Sequence, residues 1–157
     1  MTKLEMVADP NKQEIIMTRT FDAPRERVFK AFVTAEQVKK WWGGSLFETT
    51  VEEFNPKAGG SWRFYQTDDR GTYHFHGVFH DVTPDERIIQ TFEYDDLPEA
   101  GHVILETIKF EEVDGKTVVT DISTFQSVSD RDGMIQSGME TGASASWDAL
   151  AKIVEKD

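Results

Sequence analysis

The residues of this chain best suited to chemistry are three histidines on alternate positions of one segment, His74, His76 and His80, a scatter of carboxylates, and two pairs of adjacent glycines. A strand would put all three histidines on one face, the raw material of a zinc site. At about 3.3 Å per residue, however, His76 and His80 stand roughly 13 Å apart along an unbulged strand, too far to share one ion. His74 and His76 would need a further ligand from a neighbouring strand, and neither a cysteine nor an HExxH pattern supports one. A solvated polar face is the simpler reading, and no metal is expected. Glu48, Glu52, Glu53, Glu93 and Glu106 offer carboxylates, but no motif selects a pair for general acid, base or nucleophilic work. Most are assigned to the solvated face, as is Arg63, which follows Trp62 on the opposite side of its strand. A carboxylate turned into a cavity would have its pKa raised by desolvation and would revive an enzymatic reading. Gly43-Gly44 and Gly59-Gly60 lie in neither a phosphate-binding loop nor a dinucleotide fingerprint, so no cofactor is expected.

Binding is better represented than catalysis. Trp41 and Trp42 close a short polar helix and open the Gly43-Gly44 turn. Adjacent rings at a helix end cannot easily face the same way, so one is expected in the core and the other toward a cavity or solvent. Structural packing and ligand contact both remain open for the pair. On later segments Trp62 and Phe64 share a face, as do Tyr73, Phe75, Gly77 and Phe79, with Phe92 and Tyr94 extending an aromatic wall. A side chain at Gly77 would obstruct sheet curvature or pocket space, unless the glycine instead marks a bulge. The candidate ligand-binding set is therefore Trp41, Trp42, Trp62, Phe64, Phe75, Gly77, Phe79 and Phe92, completed by Met134, Gly138, Met139 and Gly142 of the closing helix. Ordinary core packing is the competing explanation for each ring.

The elements that must position these residues follow from periodicity. Residues 1–12 are polar and poorly periodic and are expected to be a flexible lead, with one domain over residues 13–157. A strand over Glu14 to Phe21 leads to a helix from about Pro24 to Val33, with Asp22 as its cap. A second short helix ends at the tryptophans, where Thr34 and Gln37 form a candidate capping box. From Phe47 to Phe125 the period is two, and turn residues divide the stretch into six segments joined by short connections. The sum is a seven-stranded antiparallel sheet. A closing helix capped by Ser129 or Asp130 runs from about Arg131 to Val154, roughly 36 Å at 1.5 Å per residue. Gly133, Gly138 and Gly142 weaken it by up to about 1 kcal/mol each relative to alanine, so packing against the sheet must hold it. Gly138 and Gly142 allow either close approach or hollow space beneath it.

Charge and composition limit the partners. With 29 acidic and 17 basic residues among 157, a formal net charge of -12 and no dense basic block, nucleic acid and anionic lipid surfaces are disfavoured. A basic patch on a protein partner is compatible with the acidic exterior. The chain has no cysteine, and no apolar stretch long enough to insert in a membrane or to serve as a signal sequence. A cytoplasmic location is expected, as a monomer or a homodimer formed through an exposed strand edge near the first strand.

Several short motifs occur in a recognisable order: Phe21-Asp22-Ala23-Pro24-Arg25-Glu26-Arg27-Val28-Phe29, Trp41-Trp42-Gly43, Gly59-Gly60-Ser61-Trp62-Arg63, Gly77 through Ile88, and Gly138 to Trp147 to Leu150. On these the chain resembles the activator of Hsp90 ATPase homologue 1-like family of the START-like (SRPBCC), birch-pollen-allergen-like superfamily. The resemblance implies an α+β helix-grip fold, in which a seven-stranded antiparallel sheet wraps around a long C-terminal helix and two short helices stand between strands 1 and 2. It also implies non-catalytic binding of a small apolar or amphipathic molecule between sheet and helix, including a stress-related role. The alternatives it carries are a cyclase-, aromatase- or hydrolase-like enzyme in the same cavity, or a chaperone-interacting protein.

Overall fold

Period-two segments separated by turn residues build a single antiparallel sheet, seen here in a computed structural model that describes residues 2–156. The strands are β1 (Glu5–Val7), β2 (Glu14–Phe21), β3 (Glu48–Phe54), β4 (Ser61–Asp68), β5 (Gly71–Thr83), β6 (Arg87–Tyr94), β7 (Val103–Val113) and β8 (Lys116–Thr124). Their spatial order is β1-β2-β8-β7-β6-β5-β4-β3. Helices α1 (Arg25–Val33) and α2 (Ala35–Trp41) join β2 to β3, while α3 (Val128–Gln136) and α4 (Met139–Val154) follow β8. This is the α+β helix-grip architecture expected from the sequence, with eight strands in place of seven. The additional strand comes from the segment read as a flexible lead, where Glu5, Met6 and Val7 pair with Thr18, Met17 and Ile16. The buried guanidinium of Arg131 on α3 holds the turn that follows by donating to the carbonyls of Asp9 and Lys12.

One end of the sheet is packed solid. Along β2 every second residue, Ile15, Met17, Arg19 and Phe21, is buried. On α4 the stripe Trp147, Leu150, Ala151 and Val154 recurs at helical spacing and buries against that face. Phe21 meets Trp147 edge-on at 5.9 Å, and α1 inserts Phe29 and Phe32 against Phe110 at 5.2 and 5.1 Å. Fully burying such a side chain contributes about 1.5–3 kcal/mol, so this end of the molecule carries the hydrophobic stabilisation of the helices.

The closing helix departs from expectation. It does not run unbroken from Arg131 to Val154 but divides at Gly138, whose φ of 84° is left-handed and ends the helical path. A Cβ at Gly138 or Gly142 would meet nothing within 4 Å, so these glycines face open space and are not close-approach sites. The stretch lacks the packing that would offset its poor helix propensity. The caps also differ. Ser127, not Ser129 or Asp130, caps α3 by accepting from the Asp130 N–H at 3.0 Å. Asp22 does not cap α1; its own N–H donates to Glu155 at 2.9 Å, and Pro24 occupies the cap position. Thr34 turns its hydroxyl back to the Lys30 carbonyl at 2.6 Å, so the expected capping box with Gln37 is not formed.

Candidate functional site

The two tryptophans diverge at the end of α2. Trp41 turns inward, donates from Nε1 to the Ala31 carbonyl at 2.9 Å and packs on Phe32. Trp42 leaves the helix with extended backbone (φ -68°, ψ 123°), and its carbonyl accepts from the Thr49 hydroxyl. The following turn is fastened to α4: the Gly43 N–H donates to Ser146 Oγ at 2.8 Å, and Gly44 lies so near the Ala145 backbone that a Cβ would overlap it. The glycine pair thus locks the turn against the helix. Trp42 is thereby aimed across the sheet, where its ring sits 5.1 Å from Phe64, 5.0 Å from Phe75, 6.5 Å from Trp62 and 6.3 Å from Phe92. These edge-to-face and tilted contacts are the arrangements aromatic quadrupoles favour.

Beyond this cluster the sheet and helices part to leave a cavity of about 790 Å³. Of the residues expected to bind a ligand, Trp41, Trp42, Trp62, Phe64, Phe75, Phe79 and Phe92 line it from α2 and the sheet. Met134, Gly138, Met139 and Gly142 line it from α3, the helix break and α4. Exposed Leu97, Gly133, Ser137 and Gly138 put its mouth between the β6–β7 connection and the α3–α4 joint. Gly77 does not line the cavity. It is buried beneath Trp62, where a Cβ would overlap both the indole and the Thr91 carbonyl oxygen. The missing side chain lets Trp62 lie across β5 and donate from Nε1 to Thr91 at 3.2 Å. The bulge of this strand falls later, between Phe79 and Asp81.

A polar row crosses the floor of this apolar space. Gln90 pairs in register with Glu106, and Glu106 with Ser123, across β6, β7 and β8. Gln90 Nε2 donates to Glu106 Oε1 at 3.0 Å, and Ser123 Oγ donates to Asp121 Oδ1 at 3.2 Å. All four side chains line the cavity. Burial pushes Asp121 well above the usual carboxylate range, reinforced by the charge of Glu106 and by a hydrogen bond shared with it; Ser123 opposes the rise. Glu106 is thus an exception among the five carboxylates, most of which were expected on the solvated face. Asp121 escaped notice in the sequence, although it shares the buried face of β8 with Thr117, Val119 and Ser123.

At the mouth His102 Nδ1 lies 3.0 Å from Asp130 on α3, and hydrogen bonding to Asp130, followed by its charge and that of Glu99, raises the His102 pKa. The other three histidines stand on the outer face. His74 contacts Asp96, His76 contacts Asp95 and Glu93, and His80 is exposed. Among the described residues no group of three His, Cys, Asp or Glu side chains has the arrangement of a metal site. Arg63 pairs with Asp95 at 2.9 Å on that face.

The family model for activator of Hsp90 ATPase homologue 1-like proteins matches residues 22–155, which include both tryptophans, the aromatic strands and the whole of α4. The chain belongs to the activator of Hsp90 ATPase homologue 1-like family. Within this family's fold, a protein from Arthrobacter aurescens is similar at 23% identity and a TM-score of 0.88, over 98% of this chain and 92% of that one. A Mycobacterium smegmatis protein aligns at 21% identity and a TM-score of 0.89, over 98% and 97% of the two chains. A Staphylococcus epidermidis protein reaches 29% identity and 0.82, over 96% and 94%. No curated protein sequence matches the chain. No helix of the described residues is long and apolar enough to cross a membrane.

Proposed function

We propose that this member of the family holds a small apolar or amphipathic molecule in the space between its sheet and its closing helices. The carrying observation is the cavity of about 790 Å³ lined by Trp42, Trp62, Phe64, Phe75 and Phe92. Its size lies within the roughly 300–1,000 Å³ typical of small-molecule sites, and a few convergent polar groups at its floor would orient what enters. An apolar molecule of matching shape would gain dispersion contacts with these rings. Titration with a neutral apolar dye such as Nile red tests the reading: saturable binding to one site per chain is expected. In the Trp42→Ala variant, measured on protein that remains folded, affinity should fall about tenfold, because the ring forms part of the cavity wall. Absence of saturable binding, or equal affinity in a folded variant, would overturn it.

A second reading, an enzyme of the cyclase or hydrolase type, is favoured by one observation: a carboxyl group, Asp121, is turned into the cavity with a raised pKa. A group in that state is suited to proton donation. Ser123 donates to the same carboxyl group, so the pair sets an acid–base group beside a hydroxyl.

A further inference from the structure

The floor of the cavity is acidic and its lining contains neither lysine nor arginine. Besides Glu106 and Asp121, the titratable lining groups are Tyr73, Tyr94, His102 and Asp130, and His102 is held at the mouth by Asp130. The nearest arginine along β2, Arg19, turns to Asp148 at 2.6 Å. Two carboxyl groups therefore meet in an apolar space with no cation opposite them, and their mutual repulsion is relieved either by a proton kept on Asp121 or by a cationic group that a ligand brings. Resting on the binding role proposed above, we propose that Glu106 and Asp121, oriented by Gln90 and Ser123, receive the protonated amine of an otherwise apolar aromatic ligand.

Geometry places the two halves of such a molecule. Gln90 and Phe92 are successive inward residues of β6, about 7 Å apart along the strand. Gln90 touches Glu106, while Phe92 lies 5.7 Å from Trp62 and 5.4 Å from Phe75. A fused-ring body seated in the aromatic cluster thus brings a short amine-bearing arm to the carboxyl row. Aromatic faces attract a cation further through the quadrupole of the ring. The formal net charge of -12 raises the local concentration of cations and repels anions. A fatty acid or aryl carboxylate would instead bring a third carboxyl group to the same floor.

Calorimetric titration near neutral pH with three molecules that share one ring system separates these effects: 1-naphthylmethylamine, 1-methylnaphthalene and 1-naphthoate. The amine should bind about tenfold or more tightly than the hydrocarbon, and the carboxylate most weakly. In Glu106→Gln, and in the double variant Glu106→Gln with Asp121→Asn, the preference for amine over hydrocarbon should collapse toward unity. Glu106 is only half-buried, so the single variant provides a folded control for the double one. Binding of the hydrocarbon with no preference for the amine, or a preference that survives in both variants, would overturn the amine assignment and leave the cavity's binding role standing. Binding of none of the three would overturn that role and the assignment with it.

Discussion

Asp121 is the residue at which this protein departs furthest from simple hydrophobic design. Desolvation raises its pKa, the charge of Glu106 and their shared hydrogen bond raise it further, and only Ser123 works in the other direction. Above the ordinary aspartate value of 3.8 the folded state therefore binds more protons than the unfolded chain. Stability must fall as pH rises from that value until the folded pKa is passed, and the cost is then fully present. Asp121→Asn keeps a donor toward Glu106 and removes the titration. The variant should resist urea better than wild type near neutral pH, with the advantage shrinking as pH falls toward 3.8. A variant less stable than wild type across the whole range would show that the carboxyl group itself is needed for folding. A stability gain here combined with lost amine preference would mark the acid as kept for binding.

At the scale of elements, the helix pair over the cavity is where sequence reasoning stopped short. Strand segments, both short helices and the divergence of Trp41 from Trp42 were legible because apolar period and turn residues report local geometry directly. The cavity wall was legible for the same reason, since residues of one strand parity share a face. The caps were not, because they depend on which partner a side chain reaches: Thr34 and Ser127 both have extended backbone, yet Thr34 donates to the Lys30 carbonyl while Ser127 accepts from the Asp130 N–H. Nor was the break at Gly138, since a glycine in a helical pattern stops the helix only if nothing covers it, and α4 has open space below that point. For Gly77 the decisive contact, Trp62 lying across it, comes from another strand, which local alternation does not report. Besides the Arg131 bonds to the Asp9 and Lys12 carbonyls, α3 is fastened at the mouth by His102 and Asp130. Because the folded pKa of His102 is raised, this contact contributes fully below the ordinary histidine value of 6.5 and is lost as pH rises through the folded pKa. Hydrogen exchange of the Val128–Gln136 amides, corrected for intrinsic rates, should accelerate as pH rises through that range. His102→Gln should flatten the profile; an unchanged profile would remove His102 from control of α3.

Across the whole molecule, one ion pair with a buried arginine and an exposed aspartate joins the sheet to the closing helix at the boundary between the solid core and the cavity. Arg19 follows Met17, which lines the cavity, and precedes Phe21, which packs on Trp147. Its side chain is 0% exposed, its guanidinium carbon lies 5.2 Å from the Phe21 ring, and it reaches Asp148 of α4. Asp148 remains 57% exposed, while Nε and the second terminal nitrogen of Arg19 have no hydrogen-bond partner among the described residues. The desolvation of the arginine is thus only partly offset. Breaking the pair from the two sides should give unequal results. Asp148→Ala leaves a buried cation without its counter-ion and should lower stability by about 1–3 kcal/mol. Arg19→Met fills similar volume without charge and should be neutral or stabilising, and combining the two should recover most of the Asp148→Ala loss. Urea unfolding of the three variants provides the measurement. If Arg19→Met proved the most damaging, the guanidinium's packing on Phe21 would outweigh its desolvation, and the cation would have to count as part of the solid core that holds the helix while the other end of the sheet stays open.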